Sequence, residues 1–387
     1  TAPLRGDEDA GDEDAKLQTN EDTELHNHKN LKPFSSIIAI FATWVDDIIL
    51  TGPDNTVLDN ITQALNARSS LTDGGALTHT LGVQVIRAEN GDLHLVQRHY
   101  TEKVLEKFNH TTCHAEAIPL DPSAIASLVP RDDTAPAAEK ARYSELLGSL
   151  NYLSTRTRPD IALAISFLFR FMANPSPAHW SALKRVLRYL CGTTGSGLRL
   201  PAAPGFGLRL PAATGFGPQL PATIGFGLHV PLQIVAYSDS DWACAVADRK
   251  SITGYLLQVK PKQLPENHPA LHATIIWRSG KQSSCREISW FRHIVEDVLG
   301  DVDPIPLFMD NHGALEISRD TRRINKRSKH IDIRYLYVGE AAEQGKVAPQ
   351  AVSSRENQAD IFTKGLARPD FERHCQALGV VLTPFPT

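Results

Sequence analysis

Apolar and β-branched residues run from Ile37 to Val45, meet two adjacent carboxylates at Asp46 and Asp47, and resume from Ile48 to Leu50 before Gly52. The pattern predicts two strands joined by a tight turn with both acids at its tip, beside buried strands where unpaired charge is costly. Val57, Leu58, Ile61, Ala64 and Leu65 then recur at helical spacing. Leu77 to Arg87 and Leu93 to Val96 read as strands around Asn90-Gly91-Asp92, a strong hairpin signal. A short helix is predicted over Thr101 to Phe108. Together these elements make a small α+β unit.

Residues 118–140 are rich in Pro, Ala and Asp and read as a linker. Three helices follow, over Tyr143 to Ser154, over Asp160 to Met172, and after Ser176. The third has Ser176 as cap, Pro177 at its first position and Gly192 just past its end, which is consistent start-and-stop chemistry. From Gly197 a ten-residue unit, Gly-Leu-Arg-Leu-Pro-Ala-Ala-Pro-Gly-Phe, recurs at Gly207 and loosely at Gly217. Three such copies are too few for a solenoid and read as a duplicated linker.

A second unit begins near Gln233. Strands are predicted over Ile234 to Ser238, Gly254 to Val259, Ile275 to Trp277, Ile305 to Met309 and Val347 to Val352. Helices are predicted over Ile288 to Leu299, from Asn311 to Ile317, and from Asn357 to Lys364. Asp239 and Asp310 each follow a strand, and Asp360 sits on the last helix. Acids at strand ends converge on the carboxyl edge of an α/β sheet. Three carboxylates without His or Cys geometry point to a hard, oxygen-liganded cation, Mg²⁺ or Mn²⁺. The bland alternative is three unrelated surface acids, and an Asp46-Asp47 pair taken in isolation is better explained as turn chemistry, a reading that only the rest of the chain overturns.

Composition adds the partner. The 387 residues allow two or three domains, with 42% hydrophobic and 22% charged residues. A net charge of −4 conceals segregation: Thr1 to Glu24 holds nine acids, and its Gly-Asp-Glu-Asp-Ala repeats predict a disordered tail. Basic residues dominate Arg142 to Arg199, including Lys184, Arg185 and Arg188, and Arg319 to Arg334, including Arg322, Arg323, Lys326, Arg327 and Lys329. Such segments suit a phosphate backbone, or are plain solvated helix faces. Five scattered cysteines, no secretory signal and no bilayer-length apolar run predict an intracellular protein of cytoplasm or nucleus, with no membrane partner. A first residue Thr1 in place of Met is expected of a fragment or a processed product.

Several motifs, in one order, carry a resemblance. Trp44-Val-Asp-Asp-Ile-Ile49, Tyr143 to Tyr152, Thr157-Arg-Pro-Asp-Ile-Ala162, His179-Trp180 and Lys184 to Leu190 are followed by Tyr237 to Ala243, Arg249-Lys-Ser-Ile-Thr-Gly-Tyr255 and Asp310-Asn311. Lys329 to Arg334 and Ala359-Asp-Ile-Phe-Thr-Lys364 complete the set. The chain resembles the C-terminal part of the Pol polyprotein of copia-type LTR retrotransposons. The resemblance implies a partial reverse transcriptase palm and thumb over 35–120 and a helical connection over 121–196, set between the disordered tail at 1–34 and the repeat linker over 197–231 that composition indicates. A ribonuclease H-like mixed sheet with helices follows over 232–383. It also implies that Asp46 and Asp47 are the polymerase metal pair, that Asp239, Asp310 and Asp360 are three of four ribonuclease H acids, and that RNA, DNA or their hybrid is the partner.

Departures from the family matter equally. Trp44 replaces the usual Tyr, and the fingers and first palm Asp are not among these residues. After Lys281-Gln282 the chain lacks a Ser-Ser-Thr-Glu-Ala-Glu-Tyr-like helix, and Glu287 matches the segment beyond it. Impaired catalysis is therefore expected. The rival expectations are an active enzyme whose missing acids come from another chain or an upstream exon, a nucleic-acid-binding remnant, or a host-adopted interaction protein.

Overall fold

The computed structural model describes residues 39–45, 47–52, 54–69, 71–201, 232–241, 252–261, 273–280, 284–299, 302–319 and 333–382. The acidic tail, Asp46, the second and third repeat copies, and Arg322, Arg323, Lys326, Arg327 and Lys329 lie outside these residues. The described residues are of mixed class and form three sheets with interleaved helices.

The predicted N-terminal hairpin forms. β1 (Ile40–Trp44) pairs antiparallel with β2 (Asp47–Thr51), and Trp44 stands opposite Asp47. Its strands are not buried, however, since Phe41, Trp44, Val45 and Ile48 are all exposed. A two-stranded ribbon has no second layer against which to bury its apolar faces. Helix α1 (Asn55–Arg68) follows, capped by the Asp54 carboxylate accepting from the Thr56 N–H.

The strand predicted from Leu77 to Arg87 is broken in two. β3 (His79–Thr80) and β4 (Val83–Arg87) are separated by Leu81 and Gly82, both at positive φ. β4 pairs with β5 (Leu93–Val96) across the expected Asn-Gly turn. α2 (Arg98–Lys107) comes next, and the stretch read as a linker is packed: Leu120, Leu128 and Ala135 are buried around a 3₁₀ turn at Pro122–Ser127.

The helical connection consists of α3 (Ala137–Arg156), α4 (Ala162–Phe169) and α5 (Pro177–Gly192). Helical spacing puts Tyr143, Leu146, Leu147, Leu150 and Leu153 of α3 in the core. At the entry to α4 the buried Arg158 guanidinium forks onto the Asp160 carboxylate at 2.8 Å. Tyr189 donates its hydroxyl to the same carboxylate at 2.6 Å, and Arg158 also donates to the Thr193 carbonyl at 2.9 Å. The conspicuous Arg-Pro-Asp motif is therefore a core ion pair. His179-Trp180 is structural too. His179 completes the capping box with Ser176 and stacks on Phe171, while Trp180 packs edge-on against Tyr143.

The first repeat copy opens not as loop but as β6 (Ser196–Leu200), which pairs with β5. Its other neighbour is β12 (Val380–Leu382), near the far end of the chain, giving an antiparallel sheet in the order β12-β6-β5-β4-β3.

The second unit is built on β7 (Leu232–Asp241), β8 (Ile252–Pro261) and β9 (Ala273–Gly280), an antiparallel meander. α6 (Ser284–Leu299) then leads to β10 (Ile305–Met309), which lies parallel to β7. α7 (His312–Arg319) and α8 (Ile333–Glu343) lead to β11 (Val347–Ala351), parallel to β10. The strand order β11-β10-β7-β8-β9 is the ribonuclease H-like mixed sheet expected from the motifs. A 3₁₀ turn at Gln358–Phe362 and α9 (Arg368–Ala377) complete the unit.

Both faces of this sheet are covered. Leu257, with Ala236 and Leu307, packs into one core with Ile288 of α6 and Val338 of α8. Its neighbour Leu256 points the other way, as strand alternation requires, into a core shared with α3, α4, α5, Phe362 and Phe371. The connection and the second unit thus share a hydrophobic core.

Candidate metal centre

Two strand ends and one turn converge. Asp239 lies near the end of β7, Asp310 directly follows the adjacent β10, and Asp360 projects from the 3₁₀ turn laid across β7 and β8. Parallel pairing of β7 with β10 brings the first two acids to the same sheet edge. The turn is held there by the Asn357 side-chain amide, which donates to the Ser238 carbonyl at 3.2 Å. Close approach also needs Gly254, opposite Asp239 in β8, where an added Cβ would lie 2.6 Å from Phe362 Cβ and 3.2 Å from the Ala359 carbonyl. The Ser-Ile-Thr-Gly-Tyr motif therefore serves packing of the turn that carries Asp360.

One oxygen from each of Asp239, Asp310 and Asp360 lies within 4.8 Å of the others, and this is the one such acid cluster among the described residues. Glu287, in the first turn of α6, is not a member. Asp239 and Asp360 are buried, and Asp310 is half-buried. Lys364 reaches into the cluster. Its Nζ lies 2.9 Å from Asp360 Oδ1, 3.4 Å from Asp310 Oδ2 and 3.5 Å from Asp239 Oδ1. The Thr363 hydroxyl donates to Asp239 Oδ2.

The electrostatics follow from burial and crowding. Burial pushes the Asp360 carboxyl up to about 6, with Asp239 and Asp310 adding to the rise and Lys364 opposing it. Burial likewise raises Asp239, against the hydroxyl of Thr363 and the charge of Lys364. It acts on Asp310 as well, but there hydrogen bonds from Ser354 and Lys364 outweigh it and hold the carboxyl below its usual range. Burial disfavours the Lys364 ammonium, yet the three carboxylates more than compensate and keep it charged well above its ordinary range. Buried oxygen donors in surplus negative charge suit a hard divalent cation.

The remaining sequence-predicted residues are not gathered here. Asp47 is exposed at the start of β2. On α5, Lys184 is exposed, whereas Arg185 and Arg188 pair with Glu116 at 2.9 and 3.2 Å. Sequence reasoning gave no role to Lys364, Thr363 or Asn357. The four-residue spacing of Asp360 and Lys364 was the available signal, since it places the two on one side of a helical turn.

The family model for reverse transcriptase (RNA-dependent DNA polymerase) matches residues 18–122. The Pol polyprotein of transposon RE1 from Arabidopsis thaliana is 30% identical over 364 residues, which is 90% of this chain. These matches support a copia-type retrotransposon Pol fragment. The chain covers 22% of that Arabidopsis Pol protein and 24% of the Nicotiana tabacum transposon TNT 1-94 Pol, to which it is 28% identical over 88% of its own length. The copia-type chain is also 32% identical to an uncharacterized mitochondrial protein of Arabidopsis thaliana, over 55% of its own length and 75% of that protein. The N-terminal ribonuclease H domain of a Mycobacterium tuberculosis protein aligns at 12% identity and a TM-score of 0.22, over 38% of this chain and 99% of that one, too low for any argument. No helix among the described residues is long and apolar enough to cross a membrane.

Proposed function

We propose that this copia-type Pol segment carries the end of a reverse transcriptase palm and thumb (35–120), a helical connection (121–196), a repeat segment (197–231) whose first residues form β6, and a ribonuclease H-like domain (232–383). The observation that carries the reading is the convergence of Asp239, Asp310 and Asp360, from three elements, within 4.8 Å. These carboxylates would hold Mg²⁺ or Mn²⁺ beside an RNA–DNA hybrid. A bound ion supplies Lewis acidity and an activated water for phosphodiester hydrolysis. The chain's own residues do the positioning: Asn357 fixes the turn on β7, and Thr363 orients the Asp239 carboxylate. In the same reading Asp46 and Asp47 are the polymerase carboxylates. Lys184, with the segment containing Arg322, Arg323, Lys326, Arg327 and Lys329, faces nucleic acid. Arg185 and Arg188 meet it only by exchanging Glu116 for phosphate.

Cleavage by this chain is impaired, because the fourth carboxylate of the family belongs to a helix missing after Gln282. Loss of a positioned catalytic group typically costs a hundredfold or more in rate, on the order of 10²–10⁴. The test is cleavage of the RNA strand of a hybrid with Mg²⁺, comparing this chain with one carrying a Ser-Ser-Thr-Glu-Ala-Glu-Tyr helix inserted after Gln282. No cleavage is expected from the first, and recovery from the second. Robust cleavage by the unmodified chain, abolished by Asp310→Asn, would contradict the impairment. Hybrid affinity should also weaken as salt rises, since phosphate contacts release counter-ions. Salt-independent affinity would remove the basic segments from the interface.

A further inference from the structure

Three carboxylates crowded at a sheet edge repel one another, and an apo site of this kind needs a positive charge from somewhere. Here the chain provides it. The Lys364 ammonium lies between 2.9 and 3.5 Å from an oxygen of each of Asp239, Asp310 and Asp360, contacting all three at once. An ordinary helical i,i+4 ion pair would engage Asp360 alone. The side chain is also one-third exposed, so its flexible stem has a route out to solvent.

We infer that Lys364 is a built-in counter-ion that occupies the cation position of the carboxylate cluster and must withdraw when a divalent ion binds. The inference rests on the metal-site reading above. Two cations drawn to one set of buried oxygens repel each other strongly where water is scarce. The divalent ion therefore binds at the cost of the three lysine contacts. Lys364 is a positioning residue in this account: it keeps the metal-free site assembled and sets how tightly metal is taken up. The attachment is local, because Thr363 and Asp360 belong to the same short segment and Gly254 lets that segment lie flat on β8.

The experiment is calorimetric titration of the full chain with Mn²⁺, with thermal melts in EDTA and in Mn²⁺. Wild type is compared with Lys364→Met, Lys364→Arg and Asp310→Asn. Lys364→Met keeps the length of the stem and removes the competing charge. It is expected to bind Mn²⁺ at least tenfold more tightly than wild type, to melt lower in EDTA, and to show the larger rise on Mn²⁺ addition. Lys364→Arg, which keeps the charge, should bind no more tightly than wild type. If Lys364→Met is unfolded in EDTA, Mn²⁺ should fold it, and failure to fold at any Mn²⁺ concentration overturns the inference. Equal or weaker Mn²⁺ binding by Lys364→Met, with binding lost in Asp310→Asn, overturns the inference and leaves the metal site standing. No Mn²⁺ binding by either wild type or Lys364→Met overturns both.

Discussion

Arg158 and Asp160 show how a charged motif in this chain does structural work. Both are buried, and their charges are met by Tyr189 and Thr193 as well as by each other. Removing one partner of such a pair strands the other charge in the core, at a typical cost of about 3–5 kcal/mol. Asp160→Ala should lower stability by that amount in urea unfolding, and a change below about 1 kcal/mol would contradict the buried-pair account. His179 and His374 make a second residue-scale case. Burial lowers both from 6.5 to about 4. A histidine depressed in the fold binds its proton more readily when unfolded, so its contribution is present above pH 6.5 and is lost as pH falls toward 4. At pH 5 each histidine should have removed about 2 kcal/mol. Asp360 acts in the opposite sense, because a raised carboxyl stabilises below its unfolded value and that contribution is lost as pH rises through about 6. The comparison must therefore isolate one group. His179→Asn keeps an acceptor for the cap and removes the titration, so its stability should fall about 2 kcal/mol less than wild type between pH 7 and pH 5. Identical pH dependence would show that His179 is not held neutral by the fold.

Elements were legible where local chemistry decides them. Ser176 and Pro177 open α5 where the sequence places them, although Gly192 is its last residue and Thr193 the C-cap, and Ile305–Met309 is a strand over the residues its apolar run predicts. What the sequence hid depends on partners far along the chain. The Gly-Leu-Arg-Leu of the first repeat resembled linker, yet it forms β6 because β5 and β12 flank it. Gly197 fits there because a Cβ would sit 2.3 Å from the Leu95 carbonyl. Asp239 and Asp310 could be read from their strands, whereas the role of Lys364 required the turn, β7 and β10 to be placed together. Gly254 ties fold to site at this scale. Gly254→Ala should push the 3₁₀ turn off β8 and weaken Mn²⁺ binding tenfold or more by calorimetry, with the second unit still folded by circular dichroism. Unchanged affinity would mean that the turn tolerates displacement or does not carry a ligand.

For the whole molecule, the shared core matters most. Leu256 of the second unit packs with α3, α4 and α5, and β12 closes the sheet begun by β3, β4 and β5. The ribonuclease H-like sheet is thus braced by the connection, and the candidate metal centre lies at an edge where β7, β10 and the 3₁₀ turn meet. The central claim is that this centre holds a divalent cation next to nucleic acid, whatever rate of cleavage survives. Fe²⁺ in place of Mg²⁺, with peroxide and ascorbate, tests it directly, because radicals released at the ion cut whatever strand lies beside it. A bound RNA–DNA hybrid should be cut at one narrow locus, and that cutting should vanish in Asp239→Asn and in Asp310→Asn while the hybrid still binds. Localised cutting that persists in both variants, or a bound hybrid with no localised cutting, would contradict the account.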